Sequence, residues 1–187
     1  WLTGTADLWP SGPVVTAGAR WDRTTIDFKN RVTPANDGFR SYARTSPRVG
    51  VNWDVGGGAS LRASYAEAFR APTSGELSAL GPFTSSPDLR PVKTQSTEFG
   101  AAWRHPAWGE ADIAVYRSLA QDEIYAVFDP VNGFGSNRNI DRTRRQGVEV
   151  ALRPRAGKAD AYLNYSYTEA TFQGRFDMDD ALFTGTQ

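Results

Sequence analysis

The residues that could do chemistry are few and scattered. The single histidine, His105, stands between Arg104 and Pro106. A metal site needs several converging ligands, so a lone histidine beside proline reads as a surface or interface turn residue. There is no cysteine, which removes thiolate metal sites, thiol catalysis and disulfides. Gly133-Phe134-Gly135 carries two glycines without the strand–turn–helix setting of a phosphate loop. Asp177, Asp179 and Asp180 offer oxygen ligands, but calcium asks for about six or more oxygens on an ordered loop; a solvated loop is the simpler reading. No nucleophile, base and acid stand in a catalytic spacing. The sequence therefore predicts no enzyme, no cofactor and no bound metal.

Stepping from these residues to the elements around them, the dominant pattern is a period of two. Val49, Val51, Trp53 and Val55 alternate with Arg48, Gly50, Asn52 and Asp54, as a pleated strand with two different faces requires. The same alternation marks strands over 1–8, 14–28, 59–70, 95–104, 110–128, 142–153 and 159–172. Arg117, Asp122 and Glu123 disturb both faces of 110–128, which predicts a bulge there or an upper half that stands clear of a membrane. Residues 29–44 and 129–141 read as polar loops. Between 70 and 94, prolines 72, 82, 87 and 91 bar any helix or central strand, so the prediction is strand, long ordered loop, strand.

Short turns (9–13, 56–58, 105–109, 154–158) alternate with long loops and recur at roughly 48 residues, a hairpin-sized period. Net charge is zero, so no basic field argues for nucleic acid. No apolar run approaches the ~20 residues of a membrane helix. The chain starts at Trp1 rather than Met and carries no signal peptide, which suggests an excerpt of a longer protein. Yet it holds six tryptophans at a mean hydropathy of -0.50, a composition that suits a barrel wall in a membrane. Trp9, Trp53, Trp103 and Trp108 lie in or near short turns, and Trp21, Tyr65 and Tyr165 several residues beyond one. Two aromatic belts at two interfaces would follow. The opposite face carries Arg20, Asp22, Arg48, Asp54, Arg62, Glu98, Arg104, Glu149 and Arg153, charges that suit a wet lumen and would be costly in a dry core. Eight strands closing alone leave room only for packed side chains, so the prediction is a segment of a larger barrel. A soluble β-sandwich also alternates and would use its tryptophans as core; the pattern alone leaves it open.

Two motifs narrow the choice. SYAEAFRAPTSGEL followed by SPDLRPVKTQSTEFG resembles the barrel segment of TonB-dependent outer-membrane receptors. In that family a Phe-Arg-Ala-Pro strand end leads through Glu-Leu to an Asn-Pro-x-Leu-x-Pro-Glu loop and a Glu-x-Gly strand. Phe69-Arg70-Ala71-Pro72, Glu76-Leu77, Pro87-Asp88-Leu89-Arg90-Pro91 and Glu98-Phe99-Gly100 carry the match. Ser86 stands where asparagine is usual, and Val92-Lys93 where Glu-Lys or Glu-Thr is usual. NIDRTRRQGVEV, residues 139–150, is similar to the family's Asn-x-x-x-x-Arg-x-x-Gly-Val-Glu strand entry.

The resemblance covers nearly the whole chain. It implies an all-β, antiparallel transmembrane barrel segment: about eight strands of a barrel of about 22, with residues 1–187 forming part of the barrel domain. The plug domain, the remaining strands and the TonB box that reaches the inner-membrane complex would lie elsewhere in the protein. It implies the bacterial outer membrane, contact with its lipid, and active uptake of a scarce ligand, most often a ferric siderophore. Receptors for cobalamin or oligosaccharide and a passive barrel are the alternatives. Ferric siderophores are often anionic and aromatic, and arginine and aromatic side chains suit them through charge-assisted bonds and stacking. The resulting candidates are Phe39, Arg40, Tyr42 and Arg44 in the first loop, Phe83 in the second, and Phe134, Asn137 and Arg138 in the third. Arg142, Arg144 and Arg145 are expected to line the lumen and pair with plug carboxylates, alongside Arg20, Arg48, Arg62, Glu98, Arg104 and Glu149.

Overall fold

A computed structural model of the protein describes residues 2–28, 38–78, 86–128 and 133–173. The alternating segments pleat into nine strands of one antiparallel sheet: β1 (Leu2–Asp7), β2 (Val14–Phe28), β3 (Gly38–Gly56), β4 (Ala59–Arg70), β5 (Val92–His105), β6 (Gly109–Phe128), β7 (Gly135–Ala156), β8 (Ala159–Asp160) and β9 (Leu163–Phe172). A four-residue helix, α1 (Ser74–Leu77), lies between β4 and β5. Each strand from β1 to β7 pairs with the next, and β7 also takes β8 and β9. Short turns close the hairpins at one end. At Gly57 and Gly58 the chain takes positive φ, a conformation that glycine adopts without a steric penalty.

Three elements differ from the sequence reading. β3 starts at Gly38 and β7 at Gly135, so parts of the supposed polar loops 29–44 and 129–141 are strand. Both extensions pair along their length, Arg40 with Ile26 and Asn137 with Ala126; ladder bonds to a neighbour overrode weak local propensity. The last predicted strand is split at 161–162 into β8 and β9. The helix is a fourth departure, since the prolines were expected to bar one: residues 73–81 hold no proline, and there Thr73 caps the N-terminus and Glu76 completes a capping box. The disturbance expected in β6 is real. Asp122 has φ 57 and is skipped between the pairs Gln121–Arg142 and Glu123–Ile140.

Register turns the alternation into two surfaces. Ala6, Val15, Val51, Ala63, Phe99, Val115, Val148 and Tyr167 stand opposite one another in turn, forming an apolar row across eight strands. Two residues along each strand, Trp53, Leu61, Ala101, Ile113, Val150 and Tyr165 form the next. The row on the other side of the first begins apolar with Ala17, Val49 and Tyr65 and ends with Arg117, Gln146 and Glu169. A row perpendicular to tilted strands must climb out of a horizontal apolar band, as barrel tilt demands. The interleaved row on the opposite face is Thr5, Thr16, Gly50, Ser64, Glu98, Tyr116, Gly147 and Thr168.

The polar surface is the concave one. Ile26 on β2 and Ile124 on β6 pack against the same small core of Leu77 and Leu89. Four strand spacings would hold those strands about 19 Å apart in a flat sheet, so the sheet curls toward this core.

On the concave face, three glycines act as saddles. Arg62 of β4 crosses β5 at Gly100 to give Asp112 of β6 two hydrogen bonds of 2.6 and 2.9 Å, and donates to Glu98 at 3.2 Å. The Tyr116 hydroxyl of β6 passes over Gly147 of β7 to meet Thr168 Oγ1 on β9 at 2.6 Å. Arg48 of β3 passes Gly18 of β2 and donates to Thr3 Oγ1 on β1 at 3.2 Å. Each brace spans two strand spacings, about 10 Å, and a Cβ on the middle strand would occupy its path. Glycine inside a strand marks such close approaches.

Candidate functional site: an inward loop on the concave face

Pro72 ends β4, and the chain turns onto the concave side. The Glu76 carboxylate accepts from the Thr73 N–H at 2.7 Å and from Arg70 at 2.9 and 3.2 Å. Burial alone would raise the pKa of Glu76; the bonds from Arg70 and Thr73 outweigh it and hold the carboxyl below its usual range. Leu77 is 0% exposed and Leu89 6%, and together they anchor both limbs of the loop. The Ser86 N–H closes on the Leu77 carbonyl at 3.0 Å.

The strands grip this loop mainly by its backbone. Arg40 Nε donates to the Pro87 carbonyl at 2.8 Å, and Tyr42 Oη to the Leu89 carbonyl at 3.2 Å. A tyrosine phenol titrates at about 10, so the Tyr42 hydroxyl is a donor at neutral pH. From the other side, Asn137 Nδ2 donates to the Glu76 carbonyl at 3.1 Å, and its N–H to Ser86 Oγ at 3.1 Å. Asn139 accepts from the Arg90 N–H at 2.7 Å and donates to the Arg90 carbonyl at 2.9 Å. Its second amide hydrogen goes to the Asp122 carbonyl at 2.7 Å. The Arg90 guanidinium meets the Asp122 carboxylate at 2.8 Å. A cleft of about 480 Å³ remains between residues 86–90 and 136–139.

Nearby, Glu123 accepts from Thr143 at 2.5 Å and Arg145 at 2.8 Å. Burial would raise its pKa, but these two donors hold the carboxyl below its usual range.

The candidates from the sequence fall into distinct places. Arg40, Tyr42 and Asn137 converge on the loop. Arg44 reaches Glu67 at 2.8 Å, above the point where the β3–β4 ladder stops at Arg48–Ala66; Pro47 there has no N–H to extend it. Phe39 is 62% exposed and lies on the convex parity of β3, opposite Arg40 and Tyr42. Phe134 is exposed beside the start of β7, and Arg138 donates to Ser136 at 3.2 Å. Phe83 lies outside the described residues.

Arg20, Arg48, Arg62, Glu98, Arg104 and Glu149 share the concave face by register. Arg20 pairs with Asp22 at 2.6 Å and Arg104 with Glu110 at 2.9 Å. Of the three late arginines only Arg145 belongs there. Arg142 and Arg144 pair with Gln121 and Leu119 and share the convex parity, because a strand's period of two sends neighbours to opposite faces. The expected trio therefore does not line one surface.

His105 ends β5 between Trp103 and Trp108, ring centroids 5.5 Å from each, and its Nδ1 accepts from the Ala107 N–H at 3.2 Å. Among the described residues, no group of three or more His, Cys, Asp or Glu could hold a metal ion. Sequence reasoning missed Asn139 and Asp122 as loop partners. Asn139 heads the NIDRTRRQGVEV segment, but nothing local to it points at Arg90.

The family model for the TonB dependent receptor-like beta-barrel matches residues 6–187. The chain belongs to the TonB-dependent receptor β-barrel family. Several solved structures share this fold. The FrpB iron transporter from Neisseria meningitidis (F3-3 variant) superposes with a TM-score of 0.71 at 17% identity, over 91% of this chain and 25% of that one. The Serratia marcescens hemophore receptor HasR, in complex with its hemophore HasA and heme, gives 0.72 at 19% identity, over 89% and 33%. The siderophore receptor PirA from Pseudomonas aeruginosa gives 0.71 at 16%, over 91% and 33%. The TonB-dependent receptor segment described here thus spans a quarter to a third of those chains, and their likeness is one of fold.

Proposed function

We propose that the whole protein is an outer-membrane importer that takes up a scarce ligand, a ferric siderophore, by TonB-dependent active transport, and that this segment is part of its wall. The observation that carries the reading is the two-faced sheet in a chain matched by the receptor barrel family over residues 6–187. Its apolar convex row is unbroken over eight strands, which suits lipid; its concave face is charged and cross-braced, which suits a wet interior. β1 and β9 are the edges of the described sheet. A barrel has no edges, so further strands of the protein would close it and a plug domain would fill it. The neighbours named for iron, siderophore and heme-carrier binding support the ligand class. The decisive experiment is quenching of tryptophan fluorescence in the full-length protein in detergent, titrated with ferric siderophores, cobalamin and oligosaccharides. Saturable binding of one ferric chelate supports the reading; binding of another class instead overturns the ligand assignment.

A further inference from the structure

We propose that Asn139, Asp122 and Arg90 form a clasp that straps the inward loop to the barrel wall, and that Arg40 and Tyr42 are positioning residues acting through this loop rather than ligand contacts. The argument is one of hydrogen-bond capacity. A neutral asparagine amide has two N–H donors and an acceptor oxygen. Asn139 uses both donors and its oxygen: Arg90 C=O, Asp122 C=O and Arg90 N–H. Toward Arg90 it behaves as a strand neighbour, satisfying both main-chain groups of one residue.

The positive φ at Asp122 is a conformation in which asparagine and aspartate are favoured among residues other than glycine. It interrupts the β6–β7 pairing at the position whose carbonyl Asn139 holds and whose carboxylate receives the Arg90 guanidinium. Opposite this clasp, Arg40 and Tyr42 bind the carbonyls of Pro87 and Leu89. Residues 87, 89 and 90 are therefore held from β3 on one side and β6 and β7 on the other, chiefly through main-chain groups. The donors of Arg40 Nε and Tyr42 Oη are spent on the loop.

The inference deepens the uptake reading and rests on it only where ligand enters the test. The test is amide hydrogen exchange of the full-length protein in detergent, without ligand, comparing wild type with Asn139→Ala, Asn139→Asp and Lys158→Ala. Asn139→Asp replaces a donor to two carbonyls with an anionic oxygen at the same place. Exchange over residues 86–91 is expected to rise at least about tenfold in Asn139→Ala, since losing three bonds exceeds the 1.4 kcal/mol that a tenfold change represents. It is expected to rise in Asn139→Asp as well, because the two carbonyls held by Asn139 lose their donors, and to stay unchanged in Lys158→Ala. Heat-modifiable gel mobility checks that each barrel is folded. Wild-type exchange in both Asn139 variants overturns the clasp.

The ligand arm uses ferric chelate titration of Arg40→Ala and Tyr42→Phe. Weakened binding accompanied by faster exchange at 86–91 supports a positioning role, and weakened binding with exchange unchanged makes them contacts. If wild type binds no ferric chelate, the uptake reading fails while the exchange result still decides the clasp.

Discussion

Replacing Gly147 by alanine is expected to destabilise the barrel far more than the same change at Gly50. The two glycines lie in one row of the concave face, both in strand interiors. At Gly50 the nearest atom to an added Cβ is the Ala63 carbonyl oxygen at 3.9 Å, an ordinary contact. At Gly147 the Cβ would strike the Tyr167 carbonyl oxygen and sit 2.7 Å from the Tyr116 hydroxyl. One of these obstacles is backbone and cannot swing away. Overpacking of this kind costs about 1–3 kcal/mol. Displacing the Tyr116–Thr168 bond adds about 0.5–1.5 kcal/mol, so the total is about 1.5–4.5 kcal/mol. Gly50→Ala should fall near zero or slightly on the stabilising side, because alanine reduces the freedom of the unfolded chain. Gly100→Ala should lie between them: its Cβ would meet only the Arg62 side chain, with Nε at 2.6 Å. That side chain can move, at the expense of its bonds to Asp112 and Glu98. The assay is a denaturant titration of the full-length receptor in detergent, followed by tryptophan fluorescence. Equal midpoints for Gly147→Ala and Gly50→Ala would refute the idea that these glycines are saddles for crossing side chains.

Acidification should loosen the inward loop. The Glu76 and Glu123 carboxyls, both beyond the apolar band, are held below their usual range. Such groups contribute stability that is complete above the unfolded value of about 4.3 and lost as pH falls through the folded value. Limited proteolysis at the loop should therefore accelerate as pH falls below about 4.3, and a flat profile would count against the bonds that hold these carboxyls. Leu77→Ala removes a fully buried side chain from a two-leucine core; a local cost of about 2–5 kcal/mol should appear as faster exchange over residues 71–78 with little change in global unfolding. Val115→Arg places a cation in the middle of the apolar row and should cost about 2–4 kcal/mol on insertion into lipid vesicles. Glu149→Gln, on the concave face, should insert as wild type does; equal insertion of the two variants would mean that the faces are assigned the wrong way round.

The sequence by itself determined the strands, their two faces and the family. Alternation is a local property: Val49 to Val55 against Arg48 to Asp54 needs no partner to be read, because a pleated chain has period two. The short turns carry their own signal in glycine and proline. The ends of β3 and β7 were not legible, since polar residues at 38–44 and 135–141 become strand only through bonds to β2 and β6. Nor were the saddles: Gly50 and Gly147 look alike in sequence, and only register puts Tyr116 beside one of them. Arg144 and Arg145 are neighbours, so alternation alone already sends them to opposite faces; the register shows that Arg145 is the concave one. The sequence marked Arg40, Tyr42 and Asn137 as recognition chemistry, whereas in the tertiary structure Arg40 Nε, Tyr42 Oη and Asn137 Nδ2 donate to the backbone of a loop some 40 to 60 residues away in the chain. A side chain's partner at that separation is fixed by sheet curvature and loop packing, which no local pattern encodes.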